Sequence, residues 1–149
     1  MSLPLIAAMD QCQRHVQILA QAMREIPQPV TSELLRKPSA ELLRVLDQFV
    51  LRFTKLQDTM GTHILRQFVV QVFFEPMEDA PFADVLGVLE RQNIFSAHDW
   101  ALQRSVRNAL THEYPDDPQR IVLALNDAMR KAQQLTEWLE LIRNKTLTT

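Results

Sequence analysis

The chain has 149 residues, and its 16 basic and 18 acidic side chains give a formal charge of −2 at pH 7. This length corresponds to about one domain, which we expect to span residues 1–149. The slight acidity excludes a protein that coats itself in nucleic acid through a general positive charge, so any such contact needs a local basic cluster. The single cysteine, Cys12, excludes an internal disulfide and a cysteine-based metal site within one chain.

Neither a leader nor a membrane span is expected from the apolar segments. The N-terminal stretch lacks a basic region, and its apolar run is too short for a signal peptide. The longest apolar run, residues 68–74, is interrupted by Gln71 and is too short to cross a bilayer. A cytoplasmic protein without membrane contact is the resulting prediction.

Periodic apolar residues predict two helices in the first half of the chain. The first starts at Pro4 and ends before Pro27, with apolar residues at alternating spacings of four and three. Thr31 is a possible cap for one brief turn, and Ser39 is a plausible N-cap for a long second helix. We expect that helix to continue through residues 68–74, buried centrally or against a second subunit. Cys12 lies on the apolar seam of the first helix and is interpreted as a core residue.

Three further helices complete the predicted fold. The third covers residues 81–92, and the fourth opens at Ser96 with Asp99 in a capping-box-like pattern. The fifth opens at Asp117, an N-cap followed by Pro118 in the first turn. Only two glycines occur, which disfavours sheet turns. The fold class is therefore predicted as all-α, an antiparallel bundle of four to five helices.

The fourth helix has two candidate stripes. The inward stripe is predicted to consist of Leu102, Val106, Ala109 and Leu110. The neighbouring mixed stripe consists of Trp100, Arg104, Arg107 and Thr111, spaced four, three and four apart. A tryptophan beside two arginines suits a partner surface or a binding cleft. A tryptophan half-buried at the bundle edge, with solvated arginines, remains an equal alternative.

Polar residues accumulate where the fourth helix ends. Pro115 disfavours helix in the preceding residue, so the helix should end near His112 or Glu113 and free His112 and Tyr114 to turn back toward Arg107. A histidine in a last helical turn is favoured in its protonated form by the helix dipole. Arg120 lies in the first turn of the next helix, where free N–H groups favour a phosphate.

The pattern Arg107-Asn108, three residues, then His112-x-Tyr114 resembles the signature of the HEPN superfamily. The tyrosine two places after the histidine is similar to that of the HepT-type toxins, which pair with minimal nucleotidyltransferases of the MNT type. The motif covers eight positions, and the size of the chain extends the likeness loosely over a HEPN-type helical bundle.

This resemblance implies a metal-independent ribonuclease toxin that acts on RNA as a homodimer and needs no cofactor. Arg107 would bind the scissile phosphate, and His112 would be the general acid or base. Asn108 would orient the phosphate or the histidine by hydrogen bonding. Tyr114 would receive AMP from the nucleotidyltransferase antitoxin, which silences the toxin. Arg104 and Arg120 would help to hold RNA or a nucleotide across the dimer.

Two other function classes remain open. A non-catalytic HEPN protein would bind a nucleotide or present substrate to a nucleotidyltransferase, whereas a helical adaptor would use Arg107 and His112 only to cap a helix end.

The remaining polar candidates are interpreted as structural. Lys55, Asp58 and His63 are assigned to a solvated face of the second helix, His15 is isolated on the first, and Trp138 lies on the outer side of the fifth.

Overall fold

The computed structural model describes residues 3–111 and 117–149. All regular secondary structure in these two ranges is helical, which confirms the all-α prediction. The elements are α1 (Leu3–Glu25), α2 (Ser32–Arg36), α3 (Ala40–Thr59), a π-helical turn (Met60–Ile64), α4 (Leu65–Val72), α5 (Phe82–Arg91), α6 (Ala97–Thr111) and α7 (Pro118–Leu147).

Local capping side chains determine where several helices begin. The hydroxyls of Thr31, Ser39 and Ser96 each accept a hydrogen bond from the backbone N–H three residues later, at 3.3, 3.0 and 3.0 Å. These bonds confirm the predicted starts of α2, α3 and α6, because each satisfies a donor that the first turn leaves unpaired. Asp117 occupies the N-cap position before Pro118 as predicted, but its side chain accepts no capping bond.

Neighbouring helices pack antiparallel. Arg52 of α3 contacts His15 of α1, while Val45, nearer the start of α3, borders the same groove as Ala22, nearer the end of α1. Contacts also run in opposite residue order between α6 and the segment formed by α3 and the π turn, and between α6 and α7. The short helix α5 packs against α4 and α6, and α2 packs against α7. The apolar faces meet in one buried cluster.

The π-helical turn keeps the longest apolar stripe facing the core. Three successive steps of four residues separate Leu56, Met60, Ile64 and Phe68, and each such step would rotate an α-helical stripe by about 40°. A π turn takes in more residues per turn and absorbs that drift. The whole predicted stripe is therefore buried: Leu42, Leu46, Phe49, Phe53, Leu56, Met60, Ile64 and Phe68.

The apolar run at the end of α4 is helical through Val72, as predicted. Phe73 packs edge-on against Phe68, with ring centroids 5.3 Å apart. Phe74 departs from the expected burial, since it is 81% exposed. Its φ of 56° reverses the chain at the helix end and turns the side chain outward. None of the described helices combines the length and apolar composition required to cross a membrane.

Cys12 is fully buried on α1, which confirms its interpretation as a core residue. Burial raises the pKa of its thiol to about 12. The thiol is therefore protonated at neutral pH, and this form is not the nucleophilic one.

Candidate functional site

A buried glutamine network fixes the orientation of α6. The Nε2 of Gln103 donates to the backbone oxygen of Lys131 at 2.9 Å and to Oε1 of Gln134 at 3.0 Å, both on α7. From α3, Nε2 of Gln57 donates to the backbone oxygen of Gln103 at 2.9 Å. Because Gln57 and Gln103 are both fully buried, the network joins three helices where water cannot replace its bonds.

An aromatic cluster lies beneath the same part of α6. Phe95 stacks on Trp138 and on Trp100, with centroid distances of 4.2 and 5.7 Å, and Phe82 approaches Trp100 at 6.3 Å. Both tryptophans are buried, so their predicted places, off the main core stripe for Trp100 and on the outer side for Trp138, are wrong. Leu102, predicted to face inward, is 38% exposed. Burying the larger ring surfaces and the glutamine bonds determines which face of α6 points inward.

One carboxylate of α3 brings the two arginines of α6 together. Arg107 Nη2 lies 3.1 Å from Asp58 Oδ2, and Arg104 Nη1 lies 3.5 Å from Asp58 Oδ1. The Arg107 side chain is 22% exposed, whereas those of Arg104 and Asp58 are 43% and 42% exposed. The Nε of Arg107 is buried and has no hydrogen-bond partner among the described residues. The three side chains form a half-exposed cluster with a net charge of +1.

Asp58 is the site residue that the sequence analysis missed. We assigned it to a solvated helix face, but it is the counter-ion of both arginines. Arg107 follows Asp58 by 49 residues, so no helical spacing relates them. Only the packing of α6 on α3 brings them into contact.

An open cleft of about 640 Å³ lies beside this cluster. Its walls come from the end of α3, the π turn, α5 and α6. Asp58, Arg104 and Asn108 provide charged and polar groups, and Phe82 provides part of an apolar wall. A concave site of this size, with apolar walls and a few convergent polar groups, is typical of small-molecule binding sites.

Gly61 permits the close approach of the π turn to α6. A Cβ atom at this position would lie 3.2 Å from Cζ2 of Trp100, which is tighter than ordinary contact. The glycine thus allows the backbone of the turn to form the floor of the cleft next to Trp100. Short π-helical turns occur frequently at functional sites.

The structure describes four of the six predicted site residues. Arg107 is bound to Asp58 and is not among the residues that line the cleft. Arg104 and Asn108 line the cleft, and the backbone oxygen of Asn108 accepts a hydrogen bond from Thr111 Oγ1 at 2.9 Å. Arg120 is exposed in the first turn of α7 and is not among the residues that line the cleft. His112 and Tyr114, on which the predicted chemistry depends, lie outside the described residues.

A second polar contact lies between α1 and α3. His15 is buried, and its Nδ1 lies 3.1 Å from Nη1 of Arg52, so it is not isolated as predicted. Burial lowers the pKa of His15, and the positive charges of Arg52, Arg14 and Lys55 lower it further. The neutral imidazole can accept a hydrogen bond from Arg52 through Nδ1. Across the part of the chain that the structure describes, no three His, Cys, Asp or Glu side chains are grouped to hold a metal ion.

Comparisons with protein-family models, with curated proteins and with solved structures found no match to this chain.

Proposed function

We propose that the chain is a HEPN-type ribonuclease toxin of the HepT kind, which cleaves RNA without a metal as a homodimer. Its antitoxin is a minimal nucleotidyltransferase of the MNT type. The observation that carries the proposal is the convergence of Arg104 and Arg107 beside an open cleft. Arg107 opens the motif that resembles the HEPN signature and that contains His112, and Arg104 lies three residues before it on the same helix.

The arginine cluster is suited to exchange its carboxylate for a phosphate. Asp58 is 42% exposed, so solvent weakens its hold on both guanidinium groups. A phosphodiester brings two acceptor oxygens, which the planar fork of an arginine can bind in pairs. The partly buried Arg107 would then stabilise the negative charge that develops on the phosphate during the reaction.

The proposed reaction is an internal transesterification of RNA. His112 removes the proton from a ribose 2′-hydroxyl, and that oxygen forms a bond to the adjacent phosphorus. The bond between phosphorus and the 5′-oxygen breaks, and the leaving oxygen takes up a proton from the protonated form of His112. The products are a 2′,3′-cyclic phosphate and a 5′-hydroxyl. Asn108 orients the phosphate or the histidine by hydrogen bonding.

The homodimer and the antitoxin complete the proposal. RNA would be held by Arg104, Arg107 and Arg120 contributed by two copies of the chain. The nucleotidyltransferase would join the phenol oxygen of Tyr114 to the α-phosphate of ATP and release pyrophosphate. The added AMP places a negative charge and a bulky group two residues from His112, where either would hinder RNA binding.

A second candidate function is favoured by the Asp58 contacts. Because Asp58 neutralises part of the arginine charge, the cluster attracts a long polyanion less strongly than two free arginines would. The cleft next to it has a volume that suits a nucleotide. A non-catalytic protein that binds a nucleotide, or presents one to a nucleotidyltransferase partner, would use the same residues without cleaving RNA.

Induced expression in a bacterial host distinguishes the two functions. Wild type, His112→Ala and the control His98→Ala would be compared for growth and for the integrity of total RNA. His98 is exposed in the first turn of α6, so its loss should cost little stability. Growth arrest with RNA cleavage in wild type and in the control, but not in His112→Ala, supports the ribonuclease. Intact RNA with soluble wild-type protein supports the non-catalytic function instead.

A further inference from the structure

The polar edge of the cleft places a hydrogen-bond donor beside two acceptors. Arg104 Nη1 lies 3.5 Å from Asp58 Oδ1, while Arg107 donates to Oδ2 at 3.1 Å. A carboxylate can accept about four hydrogen bonds, so Asp58 retains capacity on the side that lines the cleft. A ligand at this edge therefore meets a guanidinium donor and, next to it, carboxylate acceptors.

That order of groups distinguishes the nucleobases. Guanine presents an acceptor, O6, followed by two adjacent donors, N1–H and the 2-amino group. Uracil has a single donor between two acceptors, so its second carbonyl would face the carboxylate. Cytosine and adenine each present one amino donor beside a ring-nitrogen acceptor, so they can pair with the guanidinium and with one carboxylate oxygen but leave the second oxygen without a donor. Guanine alone presents an acceptor for the guanidinium and one donor for each carboxylate oxygen.

The apolar part of the cleft suits a flat ring. Phe82 is half-buried at one wall, and the edge of Trp100 lies against the backbone of Gly61, which has no side chain there. Aromatic side chains are common stacking surfaces for nucleobases. The exposed Ser105 and Asn108 follow along α6 and leave the opposite side open to solvent.

We infer that the cleft binds a guanine base, with Asp58 accepting from N1–H and the 2-amino group and Arg104 donating to O6. The base belongs either to a free guanine nucleotide or to a guanosine within RNA, and the second source rests on the proposed function. Arg107 is not among the residues that line the cleft, but it donates to Asp58 Oδ2 and thereby orients the carboxylate toward the base.

Calorimetric titration of the purified chain with GMP, IMP and AMP tests the inference. IMP differs from GMP only in lacking the 2-amino group, so its affinity isolates the contact to Asp58. We expect GMP to bind at least about tenfold more tightly than IMP or AMP, since a hydrogen bond to a charged group contributes about 1.5 to 3 kcal/mol. Equal affinities for GMP and IMP, or no binding of GMP, would overturn the inference.

Three variants test whether the recognition occurs in this cleft. Asp58→Asn should bring the affinities for GMP and IMP within about threefold of each other. Ser105→Phe fills the cleft from an exposed position and should weaken GMP binding at least tenfold. Leu102→Phe is the matched control, because Leu102 is exposed on the same helix and does not line the cleft. A GMP preference that survives Asp58→Asn places the binding elsewhere and refutes the assignment.

The source of the base is determined with short single-stranded RNAs. An oligouridine with one central guanosine that binds more tightly than GMP, and more tightly than the same RNA with inosine, identifies guanosine in RNA as the ligand. Tight binding of GMP with no gain from the RNA identifies the free nucleotide. These titrations require no cleavage. A chain that leaves RNA intact but prefers GMP to IMP therefore refutes the ribonuclease while it supports the guanine site.

Discussion

Replacing Asp58 with asparagine should strengthen the binding of RNA phosphates to the arginine cluster. The change removes the one negative charge and raises the net charge of the cluster from +1 to +2. A phosphate held by the guanidinium groups would stand roughly 4 Å from the Asp58 carboxylate, where two unit charges in water repel by about 1 kcal/mol. That energy corresponds to about a fivefold gain in affinity, because 1.4 kcal/mol is roughly tenfold. The free energy of unfolding should fall by no more than about 1 kcal/mol per ion pair, since both pairs are partly exposed.

Fluorescence titration with a labelled oligouridine measures this gain without the guanine contacts. Binding would be compared at low ionic strength and at about 1 M salt, where screening should remove the difference between variant and wild type. Asp47→Asn provides the matched control, because Asp47 is an exposed carboxylate on the same helix. If Asp58→Asn binds oligouridine no more tightly than wild type at low salt, the arginine cluster does not hold the phosphate.

Three further predictions concern buried polar and aromatic side chains of the bundle. Gln103→Ala should lower the free energy of unfolding by about 3 to 4 kcal/mol, through the loss of three side-chain hydrogen bonds and one buried methylene group. Urea unfolding that shows a change as small as in the exposed control Gln133→Ala would contradict the network. The lowered pKa of His15 means that the folded chain holds it neutral, whereas the unfolded chain takes up a proton near pH 6.5. The contribution of neutral His15 to the free energy of unfolding is therefore complete above pH 6.5 and is lost as the pH falls through the folded-state pKa. The urea midpoint, measured across this pH range, should lose this part of its pH dependence in His15→Gln and keep it in the control His98→Gln. Phe95→Ala should cost about 3 to 5 kcal/mol and weaken the near-ultraviolet circular dichroism of the tryptophans, and an unchanged spectrum would argue against the stacked cluster.

The helices could be predicted because their signals are local. Thr31 and Ser39 lie next to the turns that they cap, and Pro27 directly follows the last residue of the first apolar seam. Caps, prolines and apolar spacing act within a few residues of the structure that they determine. The bounds of α1 and α5, the start of α3 and the end of α4 therefore lie within a few residues of the predicted ones, whereas the π-helical turn that divides the predicted second helix was not predicted.

The inward face of α6 could not be predicted from hydrophobicity. Apolar spacing favoured Leu102, but the helix buries Trp100 and the polar Gln103 instead. Gln103 is buried because acceptors on α7 and a donor on α3 satisfy it, and neither partner is visible from its own segment. The same limit applies to the site. Arg104 was predicted from the mixed stripe of the fourth helix and Asn108 from the motif, whereas Asp58 enters only through the packing of distant segments.

The π turn also affects how the chain can change in length. A π turn is an α-helix that has taken in one additional residue, so removing one residue from Met60–Ile64 would restore a regular helix. The flanking segments, α3 and α4, would keep their faces toward the core, because the extra residue is the one that the widened turn absorbs. A single-codon deletion at this point would thus remove the glycine floor beside Trp100 and leave the remainder of the bundle in register. In the segment formed by α3, the π turn and α4, the cleft could therefore be altered without altering the fold.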